Sequence, residues 1–145
     1  MNAEELYPPF VYNTGSIALT SPGTTPLPTL SIQSSLDFAA TMMTIVVTQA
    51  NLVVTNFGGT IQVEDASEKW FNLPLTIASL IGSGLKAYGF PPYRRIAGTS
   101  NLIITVVNNT ATATSVDVAL HGFRVPKGKT IPRHYLYAPT PQRVV

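Results

Sequence analysis

The sequence predicts an all-β protein, an antiparallel β-sandwich of the jelly-roll type with extended Pro-rich arms at both ends. Short apolar stretches recur at the two-residue period of strands, and no long stretch has the period of a helix. The 12 prolines and 10 glycines separate these stretches with turns. A chain of 145 residues, 45% hydrophobic and 11% charged, can bury one core. We therefore predict an extended arm at residues 1–29, a sandwich domain at residues 30–125 and an extended basic arm at residues 126–145.

The N-terminal segment is rich in proline and hydroxyl side chains. Residues 7–10, Tyr-Pro-Pro-Phe, cannot lie inside a helix, because proline lacks an amide donor and restricts the residue before it. Residues 11–19 predict one short edge strand, and residues 20–28 a Pro-rich connector in an extended, polyproline-like conformation. We expect an arm of this kind to become ordered on a partner.

The first half of the domain alternates between strands and turns. Residues 36–48 predict one or two strands, and residues 52–56 predict the next. Phe57-Gly58-Gly59-Thr60 predicts a turn, since glycine adopts positive φ at little cost. In residues 60–64 the isoleucine and valine are predicted to face the core, and the glutamine and glutamate to face solvent. The polar residues 65–69 predict another turn.

The segment that follows is predicted to be mostly irregular. Trp70 is interpreted as a core or interface residue, because its ring is usually buried while its N–H keeps a partner. Residues 73–85 predict a loop with one helical turn that ends at Gly82-Ser83-Gly84. Residues 87–93 predict an aromatic, proline-bearing corner.

Ser100–Val125 predicts a hairpin that organises the sandwich, with the small polar residues 108–114 as its connection. Alternation gives each strand one apolar face. These faces are Leu102, Ile104 and Val106 in the first strand, and Val116, Val118 and Leu120 in the second. The other face of the second strand is Asp117, Ala119 and His121.

The charges are divided unevenly along the chain. Residues 1–68 hold six acids and no lysine or arginine, whereas residues 69–145 hold nine bases and the single acid Asp117. Two explanations are open. The fold can mix these charges over one surface, or an acidic surface of one copy can meet a basic surface of the next. The second explanation predicts that self-association depends on salt.

No catalytic or metal-binding grouping is evident. The chain has no cysteine, and its two histidines, His121 and His134, are far apart with no acidic motif beside them. Gly82-Ser83-Gly84 lacks the lysine and the strand–helix setting of a phosphate-binding loop, and no nucleophile elbow is present. We expect no enzymatic activity, no cofactor and no metal.

Membranes and nucleic acids are not the partners that we expect. The acidic residues 1–10 have neither the basic nor the apolar region of a secretory signal, and no apolar run approaches the length of a membrane span. Arg94-Arg95 and the basic C-terminal arm could contact phosphates, but their cations are sparse. An acidic protein neighbour fits them better.

Five short motifs occupy much of the chain between residues 71 and 124: Phe71–Leu75, Leu80–Gly84, Phe90–Pro92, Ile96–Leu102 and Leu120–Arg124. Together this region resembles the small jelly-roll proteins that decorate or cement the capsids of tailed bacteriophages. The resemblance implies a non-enzymatic homo-oligomer that is assembled in the host cytoplasm, resides in the virion and binds the major capsid protein or another virion protein. The N-terminal third has no counterpart in the family pattern, so capsid surface, neck and tail all stay open as locations.

Two sets of candidate residues follow. The first would contact partners in the virion: Tyr7, Phe10, Arg94, Arg95, Arg124, Lys127, Lys129, Arg133, Tyr135 and Tyr137. The second belongs to the alternative function, a carbohydrate- or receptor-binding module of a phage tail or spike, and would form an aromatic platform: Trp70, Tyr88, Phe90 and Tyr93. Sandwich folds support both functions, and these aromatic residues also suit core and subunit contacts, which is the interpretation that we favour.

Overall fold

The structure is a computed structural model, and it describes residues 7–54, 56–65, 68–81 and 87–131. In chain order its elements are β1 (Pro9–Asn13), β2 (Ile17–Ala18), β3 (Gly23–Pro26), β4 (Leu30–Ser31), β5 (Leu36–Gln49), β6 (Leu52–Val54), β7 (Gly59–Glu64), β8 (Leu75–Thr76), α1 (Ile77–Ile81), β9 (Ala87–Ile96), β10 (Asn101–Asn108) and β11 (Thr114–Pro126). The described strands form two antiparallel sheets around a shared core, which confirms the predicted all-β sandwich.

Each sheet is built around a central pair of long strands. In sheet 1, β11 pairs with β5, while β1 and β2 flank β11 and β9 and β6 flank β5. In sheet 2, β10 pairs with β7, while β3 and β4 flank β10 and β8 flanks β7. The chain therefore passes back and forth between the sheets.

The hairpin predicted at Ser100–Val125 is wrong, because its two strands do not pair with each other, but the prediction of which side chains are buried is confirmed. β10 and β11 belong to different sheets, so residues 108–114 cross the sandwich instead of closing a hairpin. The two apolar faces predicted from the alternation are buried, because they meet in the core between the sheets. The buried Asn108 supports the crossing, since its Oδ1 accepts the Thr110 N–H at 2.9 Å and its Nδ2 donates to Ser21 Oγ at 3.0 Å.

The N-terminal segment is part of the sandwich. Residues 9–26, which the sequence assigns to an extended arm, form β1, β2 and β3 and pair into both sheets. The reason is apolar burial, because Leu19 and Leu27 are buried in the core and the half-buried Tyr12 packs against it. The sandwich therefore includes these residues instead of beginning near residue 30.

A β-bulge interrupts β5 at Thr41. His121 pairs with Met42 and Gly122 pairs with Ala40, which leaves Thr41 as the extra residue. Its Oγ1 donates to the His121 carbonyl oxygen at 3.1 Å. The bulge shifts the alternation of β5 by one residue, so that core-facing positions continue on both sides of it.

The predicted corner at residues 87–93 is corrected to the first part of the edge strand β9. Its two prolines lie between Gly89, which pairs with Met42, and Arg94, which pairs with Ala40. They therefore stand opposite the bulge, where the ladder needs no N–H from them.

The helix α1 confirms the helical turn predicted within residues 73–85. Gly82-Ser83-Gly84, the predicted end of that loop, lies outside the described residues.

Gln62 corrects a smaller prediction. The alternation predicts that its side chain faces solvent, yet it is buried. Its Nε2 donates to the Phe71 carbonyl oxygen at 3.0 Å, and its Oε1 accepts the Phe71 N–H at 3.2 Å. Gln62 thus satisfies the backbone hydrogen-bonding groups of the segment between β7 and β8.

Among the described residues, no helix has the length and apolarity to cross a bilayer.

Candidate interaction site

Two adjacent arginines on β9 organise the candidate site. Arg95 pairs with Ala39, which packs on the outer face of sheet 1, whereas Arg94 pairs with Ala40 of the core. Because side chains alternate along a strand, the two guanidinium groups leave β9 on opposite sides.

Arg95 ties the start of the C-terminal segment to sheet 1. Its Nε donates to Asp37 Oδ2 at 2.9 Å, and its Nη1 donates to the Lys129 carbonyl oxygen at 2.7 Å. The other carboxylate oxygen of Asp37 accepts the Gly98 N–H at 2.9 Å. One carboxylate therefore fixes both the arginine and the turn after β9, since charge-assisted hydrogen bonds are the stronger ones.

A small apolar cluster completes this attachment. Tyr7 stacks on Phe123 with 6.5 Å between ring centroids, and its hydroxyl donates to the Thr130 carbonyl oxygen at 3.0 Å. Ile131 packs on the same cluster, which covers the fully buried Val125. We name this arrangement the C-terminal clasp: Asp37, Arg95 and Tyr7 holding residues 126–131. Lys127 and Lys129 remain exposed on the held segment.

A polar groove of about 460 Å³ lies beside the clasp. Its lining combines two acidic residues, two arginines and one tyrosine with three smaller or apolar residues: Asp65, Glu68, Tyr93, Arg94, Arg95, Ile96, Ala97 and Ser100. Arg94 donates to Glu68 Oε1 at 2.9 Å and stacks over the ring of Trp70 at 4.6 Å. Trp70 Nε1 donates to Asp65 Oδ2 at 3.3 Å. The groove thus carries both signs of charge within a short distance.

The predicted aromatic platform is an edge-packed row. Trp70 contacts Phe90 and Phe90 contacts Tyr88, each with 5.3 Å between centroids, and both pairs are edge-to-face. Tyr88 in turn contacts Phe71 at 5.8 Å. The row belongs to the core, because Phe71 is buried in it and the other three rings pack against it. Tyr93 lies apart from the row, in the groove and beside the clasp.

Arg124 and Phe10 form a separate pair at the end of the core. The Arg124 guanidinium carbon lies 3.5 Å from the Phe10 ring centroid. Its Nε is buried and has no hydrogen-bond partner among the described residues. The aliphatic stem of the arginine therefore covers apolar surface while the ring supports its charge.

The predicted contact residues thus fall into two neighbourhoods. The clasp and the groove hold the first group: Tyr7, Arg94, Arg95, Lys127 and Lys129. The second group is the pair of Phe10 and Arg124, which lies apart from them. Their use as partner contacts stays a prediction. Arg133, Tyr135 and Tyr137 lie outside the described residues, as do the rest of residues 132–145 and residues 1–6.

Sequence reasoning missed Asp37 as an organising residue. No local signal marks it, because its partner Arg95 is 58 positions away in the chain. Both ion pairs in the described ranges, Asp37 with Arg95 and Glu68 with Arg94, join an acid of the first half to a base of the second. These pairs favour the explanation that the fold mixes the divided charges over one surface.

The described residues contain no group of three or more histidine, aspartate or glutamate side chains placed to hold a metal ion. No protein-family model, curated protein or solved structure matches this chain. Any function must therefore be argued from the residues themselves.

Proposed function

We propose that this chain is a non-enzymatic structural protein of a virion that decorates or cements a phage capsid by binding to itself and to neighbouring capsid subunits. The C-terminal clasp is the observation that carries the proposal. It fixes residues 126–131 on the sandwich, so the residues that follow Ile131 start from a defined point on a rigid body.

The strand order supports a jelly roll as the fold behind this role. In a jelly roll the first strand pairs with the last, and the chain alternates between two four-stranded layers. The pairing of β1 with β11, and of β3 with β10, has this form. Jelly rolls form the shells of many viruses and also serve as lectins, so the fold supports both candidate functions.

The mechanism is mechanical. The sandwich supplies a rigid base, and residues 132–145, which include Arg133 and Arg143 and no acid, bind an acidic surface of a neighbouring subunit. Each such contact is weak. Repeated around a shell, the contacts add up, because every bound site raises the effective concentration of the next. Because residues 9–26 belong to the sandwich, this role falls to the C-terminal segment.

Truncation after Ile131 tests the proposal. The full chain and the truncated chain are each co-expressed with the shell protein of the genome that encodes them, and assembled particles are sedimented. We expect the full chain to co-sediment and the truncated chain to be lost from particles, with an unchanged urea midpoint because the clasp is intact. Lys69→Ala, which removes an exposed base elsewhere, is the matched control and stays bound. Absence of the full chain from particles would overturn the proposal, and equal binding of the truncated chain would overturn its mechanism.

The groove favours the second candidate function, a carbohydrate-binding module. Carboxylates accept hydrogen bonds from sugar hydroxyls, the Arg94 guanidinium can donate to them, and Tyr93 offers a ring for stacking. A glycan screen with the full chain, Tyr93→Ala and Tyr88→Ala tests this candidate. Glycan binding that is lost in Tyr93→Ala and kept in Tyr88→Ala would support it, because Tyr88 packs in the aromatic row outside the groove. The absence of any bound glycan would remove it.

A further inference from the structure

The outer face of sheet 1 is divided into a covered half and an open half. Beyond the bulge at Thr41, the outward side chains of Ala39, Phe123 and Val125 lie in the cluster with Tyr7 and are buried. On the other side of the bulge, the outward side chains of β5 and β11 are only half-buried. They belong to neither of the two clusters of buried residues in the described chain. We name this second half the open face.

The composition of the open face is unusual for a solvated sheet surface. Six half-exposed side chains form its centre, and none is lysine, arginine or glutamate: Met42, Thr44 and Val46 on β5, and Asp117, Ala119 and His121 on β11. Val11 of β1, which pairs with His121, adds an apolar side chain that is 42% exposed. Apolar side chains that are exposed together on one sheet face are a compositional signal of a protein interface.

The two titratable groups on the open face lack ionic partners in the described chain. Asp117 makes no ion pair or hydrogen bond with the described residues. His121 bonds through Nε2 to Thr44 Oγ1 at 2.9 Å, and its flanking partners, Val11 and Met42, carry no charge. The carboxylate of Asp117 therefore keeps acceptor capacity that a donor on another molecule can use.

We infer that the open face is where two copies of this chain bind each other around a two-fold axis. The inference rests on the self-association in the proposed function, and it names the surface responsible. Asp117 and His121 are four residues apart on one strand, about 13 Å at the strand rise. In a two-fold interface, residue i of one copy contacts residue j of the other and the reverse. Antiparallel β11 strands would then place each Asp117 against the His121 of the other copy.

The centre of the open face suits this arrangement. Ala119 lies midway between Asp117 and His121, and it pairs with Thr44 across the sheet. Both central side chains are small, so two faces can approach to the usual ~10 Å between packed sheets. An acid and a histidine on either side of a small centre match each other under a two-fold rotation, which favours a second copy as the occupant of the face.

Analytical ultracentrifugation of the full chain tests the inference. We expect a concentration-dependent dimer whose Kd rises about 100-fold or more in Ala119→Arg, because the arginine would bury an unpaired charge at the axis. Ile103→Arg is the control. Ile103 is 44% exposed on the outer face of sheet 2, and its substitution leaves the dimer unchanged. Circular dichroism and urea unfolding establish that each variant is folded.

A charge exchange tests the pairing itself. Asp117→His places histidine against histidine and removes the carboxylate from each pair, whereas His121→Asp places carboxylate against carboxylate, so each single variant weakens the dimer. The double variant restores both complementary pairs and the dimer. A monomeric wild-type chain, a dimer insensitive to Ala119→Arg, or a double variant that fails to reassociate would each overturn the inference. Shell binding that survives Ala119→Arg leaves the proposed function standing, whereas a dimer that never binds shells removes the function and keeps the inference.

Discussion

Arg94 and Arg95 are consecutive residues of β9 whose guanidinium groups bond on opposite sides of sheet 1. Arg94 reaches Glu68 after β7 at 2.9 Å, and Arg95 reaches Asp37 on β5 at the same distance. The first bond ties the edge of sheet 1 to the segment after β7, and the second holds the C-terminal segment. A dipeptide that the sequence presents as a patch of positive charge is therefore divided between two structural tasks.

The two arginines are expected to differ in their effect on stability. Arg95→Ala removes a partly buried ion pair and a hydrogen bond to Lys129, and we expect a loss of about 2 kcal/mol. Arg94→Ala removes a pair whose Glu68 side chain is 62% exposed, and we expect a loss of about 1 kcal/mol or less. Urea unfolding measures both. Hydrogen exchange at residues 126–131 should accelerate in Arg95→Ala alone, and equal acceleration in both variants would contradict the clasp.

Gly122 is expected to tolerate no side chain. A Cβ there would collide with the Ala39 carbonyl oxygen across the ladder next to the bulge, so Gly122→Ala should cost about 2 kcal/mol or more. Gly89→Ala, also on sheet 1, meets nothing within 4 Å and should be nearly neutral. Thermal unfolding of the two variants measures the difference. Equal melting temperatures would show that the backbone at the bulge relaxes freely.

Gln62 is expected to contribute through its amide, not its volume. Gln62→Leu keeps the size but leaves the Phe71 N–H and carbonyl oxygen unpaired, and we expect a loss of about 1 to 3 kcal/mol. The control is Gln33→Leu, at an exposed position, where we expect little change. The measurement is the free energy of unfolding in urea. If both substitutions were neutral, the segment after β7 would not depend on this amide.

Neighbouring isoleucines on β10 provide the sharpest test of the core. Ile104 is fully buried, so Ile104→Ala should cost about 2 to 5 kcal/mol through lost transfer energy and the cavity left behind. Ile103, 44% exposed on the opposite face of the strand, should lose much less on the same change. Denaturant unfolding compares the two variants directly. A reversal of their order would mean that the face of β10 had been assigned incorrectly.

Local pattern was enough to assign the faces of the strands. The alternation in residues 102–106 and 116–120 identifies the buried side chains, because every second residue of a strand points to the same face of the sheet. The helical turn at α1 was also predictable. Gln62 broke the pattern, since its burial depends on Phe71, a partner that alternation does not reveal.

Pairing and the candidate site could not be predicted in the same way. Whether β10 pairs with β11 or faces it across the core depends on strands far away in the chain, and both arrangements bury the same side chains. The two prolines of β9 predict an interruption of the strand, because proline has no N–H to donate. The bulge at Thr41 lies opposite them, so the ladder requires no N–H at these positions. Asp37 and Arg95 likewise meet only after β5 and β9 have paired.

The position of β11 has a consequence for how the protein forms. All 13 residues of this strand pair with β5, and β1 and β2 pair with its other edge. β1, β2 and β5 therefore cannot complete their pairing before β11 is made, which gives a topology of long-range contacts and slow folding. During synthesis, sheet 1 closes only once residue 126 is available.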